Sequence, residues 1–220
     1  MTPALAKPRE APHLDVLMTI EIEKLLQGDA SYVLANTQTT KSDFESQKKC
    51  IFPGSFNPIH KGHLEMARIA SLKTGLTVWY EISVSNVEKL TIGLSEINSR
   101  LEQTFGHEGI VITMAPTFDQ KSSLFPGATF IVGADTIRRI NQTKFYKSQS
   151  YKSKVFERFQ ERGCRFLVFG RELEGVFQSA NVELDDALRA ICDFVPRSNF
   201  ELRVSSTEIR SRISNRPNDV

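Results

Sequence analysis

Cysteine is scarce in this sequence. Three residues, Cys50, Cys164 and Cys192, are spread over 220 positions, too few and too far apart for a disulfide framework or a Cys-x-x-Cys zinc site. A reducing, cytoplasmic location is the expectation. Long apolar runs are missing as well. None approaches the roughly 20 residues that cross a bilayer, so no membrane partner is expected. The opening "MTPALAKPREAPHLDV" has no apolar core of a secretory signal. Neither sign of charge dominates: 28 Lys and Arg stand against 26 Asp and Glu, a net +2. Bulk electrostatics therefore give no reason to expect nucleic acid, although a local cluster can still bind phosphates. What remains is a chain with 40% hydrophobic and 25% charged residues, long enough for one α/β domain with a core.

Residues 1–12 hold three prolines and little pattern. From His13 to Leu26 the apolar residues Leu14, Leu17, Met18, Ile22, Leu25 and Leu26 recur near helical spacing, and Gly28 can end that helix. The polar run "ANTQTTKSDFESQKK" reads as a linker, which places the start of the main domain near Lys48 and leaves 1–47 as tail, helix and linker. From there strands and helices alternate. Strands are expected in "CIFP", "LTVWYEISVS", "GIVITMA", "ATFIVG", "CRFLVFG" and "FELRVSS". Between them, helices are expected in "GHLEMARIASLKTG" with Leu64, Ala67, Ile69 and Leu72 on one face, in "SEINSRLEQTFG" capped by Ser95, in "ADTIRRINQTKFY", "YKSKVFERFQERG" and "ELDDALRAICDF", and finally in "TEIRSRIS". The strands are continuous apolar runs rather than strict alternations, as in a parallel sheet covered on both faces. The expected fold is a Rossmann-like open parallel α/β sheet with an N-terminal helical extension.

In such a sheet ligands bind beyond the carboxyl ends of the strands, and three segments fall there. In "GSFNPIHKGH", Gly54 allows a tight turn and close approach of a phosphate. A helix starting near Gly62 offers N–H groups and a positive dipole end. His60 and His63 can donate hydrogen bonds, with Gly62 leaving room between them. A plain turn or a metal pair are the competing readings. Zinc fits poorly, because no Cys or carboxylate cluster supplies further ligands at the usual spacing, and no protein-held metal is expected. In "VSSTEIR", Ser205 and Glu208 match a capping box that needs no function, yet Ser205, Ser206 and Thr207 followed by Arg210 also suit a polyphosphate. In "VGAD", Asp135 can cap a helix or accept hydrogen bonds from a ribose.

Together "GSFNPIHKGH" and "VSSTEIR" resemble the two signature motifs of the nucleotidyltransferase superfamily, the G-x-F-x-P-x-H-x-G-H and I-S-S-T-x-I-R patterns. "GSFNP" and "FIVGAD" are most similar to the nicotinamide or nicotinate mononucleotide adenylyltransferases. The resemblance covers roughly Lys48 to Ser214. It implies that the backbone of Gly54, Ser55 and Phe56 lines an ATP site and that His60 and His63 around Gly62 bind phosphates and steady the transition state. It further implies that Gly133 and Asp135 hold the adenosine ribose, and that Ser206, Thr207 and Arg210 bind the β- and γ-phosphates. Mg²⁺ is expected with ATP, and a mononucleotide as second substrate. Lys89 and Arg171 follow strands where a phosphate contact is plausible on the same grounds; each also suits a solvated surface. Val204 replaces the usual isoleucine. The pyridine-stacking aromatic is not evident: Trp79 sits in a strand and reads as core, and Phe118 and Phe125 are the candidates. Phosphopantetheine as acceptor, a cytidylyl transfer, or a non-catalytic nucleotide-binding module remain open alternatives. The oligomeric state, a homo-oligomer included, is also left open.

Overall fold

The computed structural model describes residues 16–35, 37–85, 93–103, 109–173, 176–178, 183–196 and 198. The chain begins with α1 (Val16–Gln27), β1 (Tyr32–Ala35) and α2 (Lys41–Ser46). It continues with β2 (Cys50–Pro53), α3 (Lys61–Thr74), β3 (Val78–Ser83), α4 (Leu94–Gln103), β4 (Ile110–Thr113) and α5 (Phe118–Leu124). Then come β5 (Thr129–Gly133), α6 (Ala134–Asn141), a 3₁₀ turn (Thr143–Phe145), α7 (Gln149–Glu161) and β6 (Arg165–Phe169). A small hairpin, β7 (Arg171–Leu173) and β8 (Val176–Gln178), precedes α8 (Asp186–Ala190) and β9 (Cys192–Val195).

Seven strands form one sheet in the order β1-β4-β3-β2-β5-β6-β9. All neighbours are parallel except β1, which runs antiparallel to β4. The chain winds outward from β2 through β3 to β4, then returns to β5 on the other side of β2. The switch point therefore lies between β2 and β5, the crevice where open α/β sheets bind ligands.

Successive residues alternate between two cores. Phe52, Tyr80, Ile82, Ile112 and Ile131 face α1, α3 and α4, contributing to a cluster with Ile22, Ala70 and Ile97. Ile51, Trp79, Val111, Phe130 and Phe166 face the other way, into a cluster with Phe44, Phe125, Phe156, Phe159 and Leu188. Both faces are buried, which is why these strands read as continuous apolar runs. The three cysteines are buried thiols in these cores, and burial pushes Cys50 and Cys192 up to about 12, so neither is a nucleophile.

Several expectations are corrected. The polar run read as a linker holds α2, whose Phe44 is buried against Tyr32 and Trp79 with ring centroids 5.2 and 4.6 Å away. Thr40 caps this helix by accepting from Asp43 N at 3.1 Å. One apolar residue among polar ones leaves no period to detect, and β1 just before it is only four residues long. Helix α1, strand β1 and helix α2 thus share the sheet and cores of the rest. At the other end, "ICDF" is not helical. Helix α8 stops at Ala190, and Cys192–Val195 pairs in parallel with β6. That strand, which was not expected, is the sixth parallel strand among the described residues; the strand expected at 200–206 and the expected last helix lie outside them. Ser95 lies within the first turn of α4 instead of capping it: Ile97 N donates to Gly93 O at 3.1 Å. In α3 the buried stripe runs through Gly62, Ala67, Ile69 and Ala70, leaving Leu72 exposed.

Candidate active site

The chain leaves β2 through Gly54, whose N–H donates to Glu81 O at 3.0 Å. A Cβ at Gly54 would stand 2.6 Å from the Phe56 ring. Glycine is needed here for that close approach, and the left-handed backbone falls at Phe56 instead, with φ 44°. Such a conformation costs roughly 1–2 kcal/mol for an ordinary residue. The ring's burial offsets it: Phe56 is 1% exposed and packs edge-on against Phe52, Tyr80 and His63 at 5.2–5.4 Å. The expectation that Phe56 lines a ligand site therefore applies to its backbone alone. The Asn57–Pro58 bond that follows is cis.

His60 is the N-cap of α3. Its Nδ1 accepts from Gly62 N at 3.1 Å, and its own N–H donates to His63 Nδ1 at 3.3 Å. The two imidazoles form a reciprocal capping box, a task usually given to hydroxyl and carboxamide side chains. The rings stack with centroids 3.7 Å apart and 23° between planes. An Nδ1 that accepts an N–H carries no proton, so each neutral ring keeps its proton on Nε2. Burial, and then the neighbouring His60, push the His63 pKa down to about 3. His63 is thus a neutral Nε2–H donor at neutral pH, and both rings stand at the positive end of the α3 dipole. The Gly62 N–H itself is taken by the cap and does not serve a ligand. Both Nδ1 atoms are occupied, which disfavours a chelated metal. Among the described residues no group of three His, Cys, Asp or Glu side chains stands together to hold one.

Strand β5 lies beside β2, with Cys50 opposite Thr129 and Ile51 opposite Phe130. Their ends bring Gly54 and Gly133 out side by side at the switch point. Gly133 is the N-cap of α6 without a side-chain cap bond, and Asp135 stands in the first turn, 4.0 Å from Arg138. Asp135 is therefore not the cap of this helix.

From Gly54 and Ser55 a cleft of about 670 Å³ opens on the α5–α7 side of the sheet. Along the strand faces turned to it, the apolar core gives way to polar groups: Trp79, Glu81, Ser83 on β3, and Val111, Thr113 on β4. Glu81 is 1% exposed and paired with Lys121 Nζ at 2.7 and 2.8 Å. Asp119 is clasped by Arg158 and Arg162. Burial works to raise its pKa, but hydrogen bonds from these two arginines hold it below the ordinary carboxylate value. Both acids lining the cleft are thus neutralised within the protein, while Arg100, Arg139 and Lys147 also line it.

The aromatics sort clearly. Trp79 is core, as expected. Phe125 is 1% exposed and is excluded as a stacking platform. Phe118 lines the cleft but packs edge-on against Phe130 and Phe166 at 5.7 and 5.1 Å. The exposed aromatics of the cleft are Phe145, with Arg139 and Lys144 5.6 and 5.0 Å from its ring, and Tyr151, with Lys147 and Arg158 5.9 and 5.7 Å away. Sequence reasoning missed both, and Glu81 and Lys121 too. A glutamate inside "VWYEIS" was the available signal. Arg171 opens β7, opposite Gln178. Lys89, Ser206, Thr207 and Arg210 lie outside the described residues.

The profile of the cytidylyltransferase-like family matches residues 51–212, most of the chain. The chain belongs to that family of nucleotidyltransferases. Among curated relatives, one from Roseobacter denitrificans, named "Probable nicotinate-nucleotide adenylyltransferase", is 32% identical over 46% of this chain and 56% of its own length. Another of the same name from Gloeobacter violaceus is 27% identical over 74% of this chain and 82% of its own. The chain thus spans little more than half of the first relative.

Proposed function

We propose that this protein transfers AMP from ATP to a pyridine mononucleotide, forming a dinucleotide and releasing pyrophosphate. The observation that carries the reading is the stacked histidine pair that caps a helix at the switch point of the sheet, with His63 held neutral. A phosphate oxygen of the acceptor attacks the α-phosphorus of ATP in line. The bond to the bridging oxygen of the β-phosphate breaks as the new one forms, so no covalent enzyme intermediate is required. The His60 and His63 Nε2–H groups donate to phosphate oxygens as charge builds on them, which is catalysis by positioning and electrostatics. Gly133 and Asp135 hold the ribose, and Lys89, Arg171, Ser206, Thr207 and Arg210 are assigned to the leaving phosphates. Magnesium arrives with the triphosphate as part of the substrate.

The cleft on the α5–α7 side takes the acceptor. Its exposed Phe145, flanked by two cations, suits a flat ring that carries negative charge. That favours nicotinate mononucleotide over the amide, in line with the names of the two relatives. The test is incubation with Mg-ATP and, separately, nicotinate mononucleotide, nicotinamide mononucleotide and phosphopantetheine, reading pyrophosphate and adenylylated product. Dinucleotide formation, fastest with the nicotinate form, is expected. Turnover with phosphopantetheine alone overturns the acceptor assignment, and ATP binding without turnover on any acceptor points to a non-catalytic module.

A further inference from the structure

A buried ion pair sits where the strand ends meet the cleft. Glu81 is central to it. Its backbone oxygen accepts the Gly54 N–H at 3.0 Å. Its carboxylate takes Lys121 Nζ at 2.7 and 2.8 Å and the Thr113 hydroxyl at 2.5 Å. Lys121 Nζ reaches a third acceptor, Ala115 O, at 2.6 Å. The single proton of the Ser83 hydroxyl is shared between Ser85 O at 2.6 Å and that same Ala115 carbonyl at 3.1 Å. The side chains of Lys121 and Glu81 are 5% and 1% exposed.

Two features of this cluster point beyond stability. First, an ammonium has three donors, and all three of Lys121 are used inside the protein, so it is not a substrate ligand. Secondly, apolar residues of similar volume generally serve stability as well as a buried ion pair does, because two charges must be desolvated to form it. What the pair supplies and a hydrocarbon does not is direction. It fixes the Gly54 turn, the end of β4 with the Ala115 carbonyl, and α5 in one mutual arrangement, and Gly54, Pro116, Thr117 and Phe118 from these segments line the cleft.

We infer that Glu81 and Lys121 are positioning residues for the acceptor. By holding the 113–117 segment and α5 against the Gly54 turn, they set where the acceptor's phosphate stands relative to the nucleotide while touching neither substrate. This inference rests on the adenylyl-transfer reading above. It concerns the acceptor side of the sheet and leaves the histidine pair on the opposite side intact.

The decisive variant replaces both charges together, Glu81→Met with Lys121→Met, so that neither is left buried alone. Steady-state kinetics with Mg-ATP and nicotinate mononucleotide, together with thermal unfolding, form the readout. The expected result is a folded protein whose kcat/KM for the acceptor falls about a hundredfold while KM for ATP changes by less than about twofold. Ser83→Ala removes the hydroxyl shared by Ser85 O and Ala115 O, which loosens the Ala115 carbonyl from its other side without removing a charge. It should lower acceptor kcat/KM by roughly threefold to tenfold, again sparing KM for ATP, and it decides the matter if the double variant does not fold. A folded double variant with wild-type acceptor kinetics overturns the inference, as does an unfolded one accompanied by a kinetically normal Ser83→Ala. If wild-type protein is inert with every acceptor, the function itself is overturned and this inference with it.

Discussion

The histidine turn and the acid–lysine floor of the cleft are both polar constructions in largely buried surroundings, on opposite faces of one sheet. They are closed in different ways. The turn satisfies itself over two and three residues, through Gly62 N to His60 and His60 N to His63. The floor is closed over 32 and 40 residues, from Thr113 and Lys121 to Glu81. The first is made of two imidazoles, each holding a backbone N–H of the turn through its Nδ1. The second holds full charges whose donors are consumed within the protein. The local arrangement shapes one helix end, and the long-range one ties three segments of the chain together.

Removing one charge from the floor should produce the largest change. Lys121→Ala leaves Glu81 buried without its partner and should cost about 3–5 kcal/mol of stability, read from denaturant midpoints; a loss below about 1 kcal/mol would mean that the site relaxes to admit water. On the other side of the sheet, His63→Ala should act on turnover more than on stability. A loss of about 10²–10³ in kcat is expected for a transition-state donor, with about 1 kcal/mol from the lost half of the cap. Activity that survives this change would remove the histidines from the mechanism.

Gly54→Ala touches both regions, because the new methyl would stand 2.6 Å from the Phe56 ring while the neighbouring Glu81 carbonyl holds the turn. Overpacking of that kind costs about 1–3 kcal/mol, and an unchanged melting temperature would show that the ring can move aside. The last comparison concerns pH. His63 is pushed down to about 3 in the folded chain, below its ordinary value near 6.5. The unfolded chain therefore binds an extra proton between those values, and stability falls as pH drops from about 6.5 toward 3. His63→Gln keeps a cap acceptor without the titration, so its melting temperature should fall less steeply over that window. An identical slope in both proteins would assign the acid sensitivity elsewhere.

The same contrast explains what could be read from the sequence. The five strands from β2 to β6 were legible because residues buried on both faces leave unbroken apolar runs. His60 and His63 were legible because their whole arrangement fits within four residues. Phe44 was not, because its partners Tyr32, Trp79 and Phe125 lie on three other segments and its neighbours are polar. "ICDF" suited a helix locally, and only pairing with Phe166–Phe169 makes it a strand. Glu81 was missed although it interrupts an apolar run, because its partner lies 40 positions away in "FDQKSS", where nothing but the fold selects Lys121. Phe145 was passed over for Phe118 and Phe125 because exposure on a cleft rim has no sequence period.

The antiparallel strand β1 has a practical consequence for anyone trimming this protein. A chain cut where the polar run ends, just before Cys50, would keep both histidines and the parallel strands, and would look complete by motif. It would also strip the partner from β4 along Ile110–Thr113 and withdraw Phe44 from beneath Trp79. The result is a bare strand edge beside an apolar gap, and an edge of that kind recruits another chain. Such a fragment should self-associate on purification, which makes β1 and α2 an intrinsic guard against aggregation.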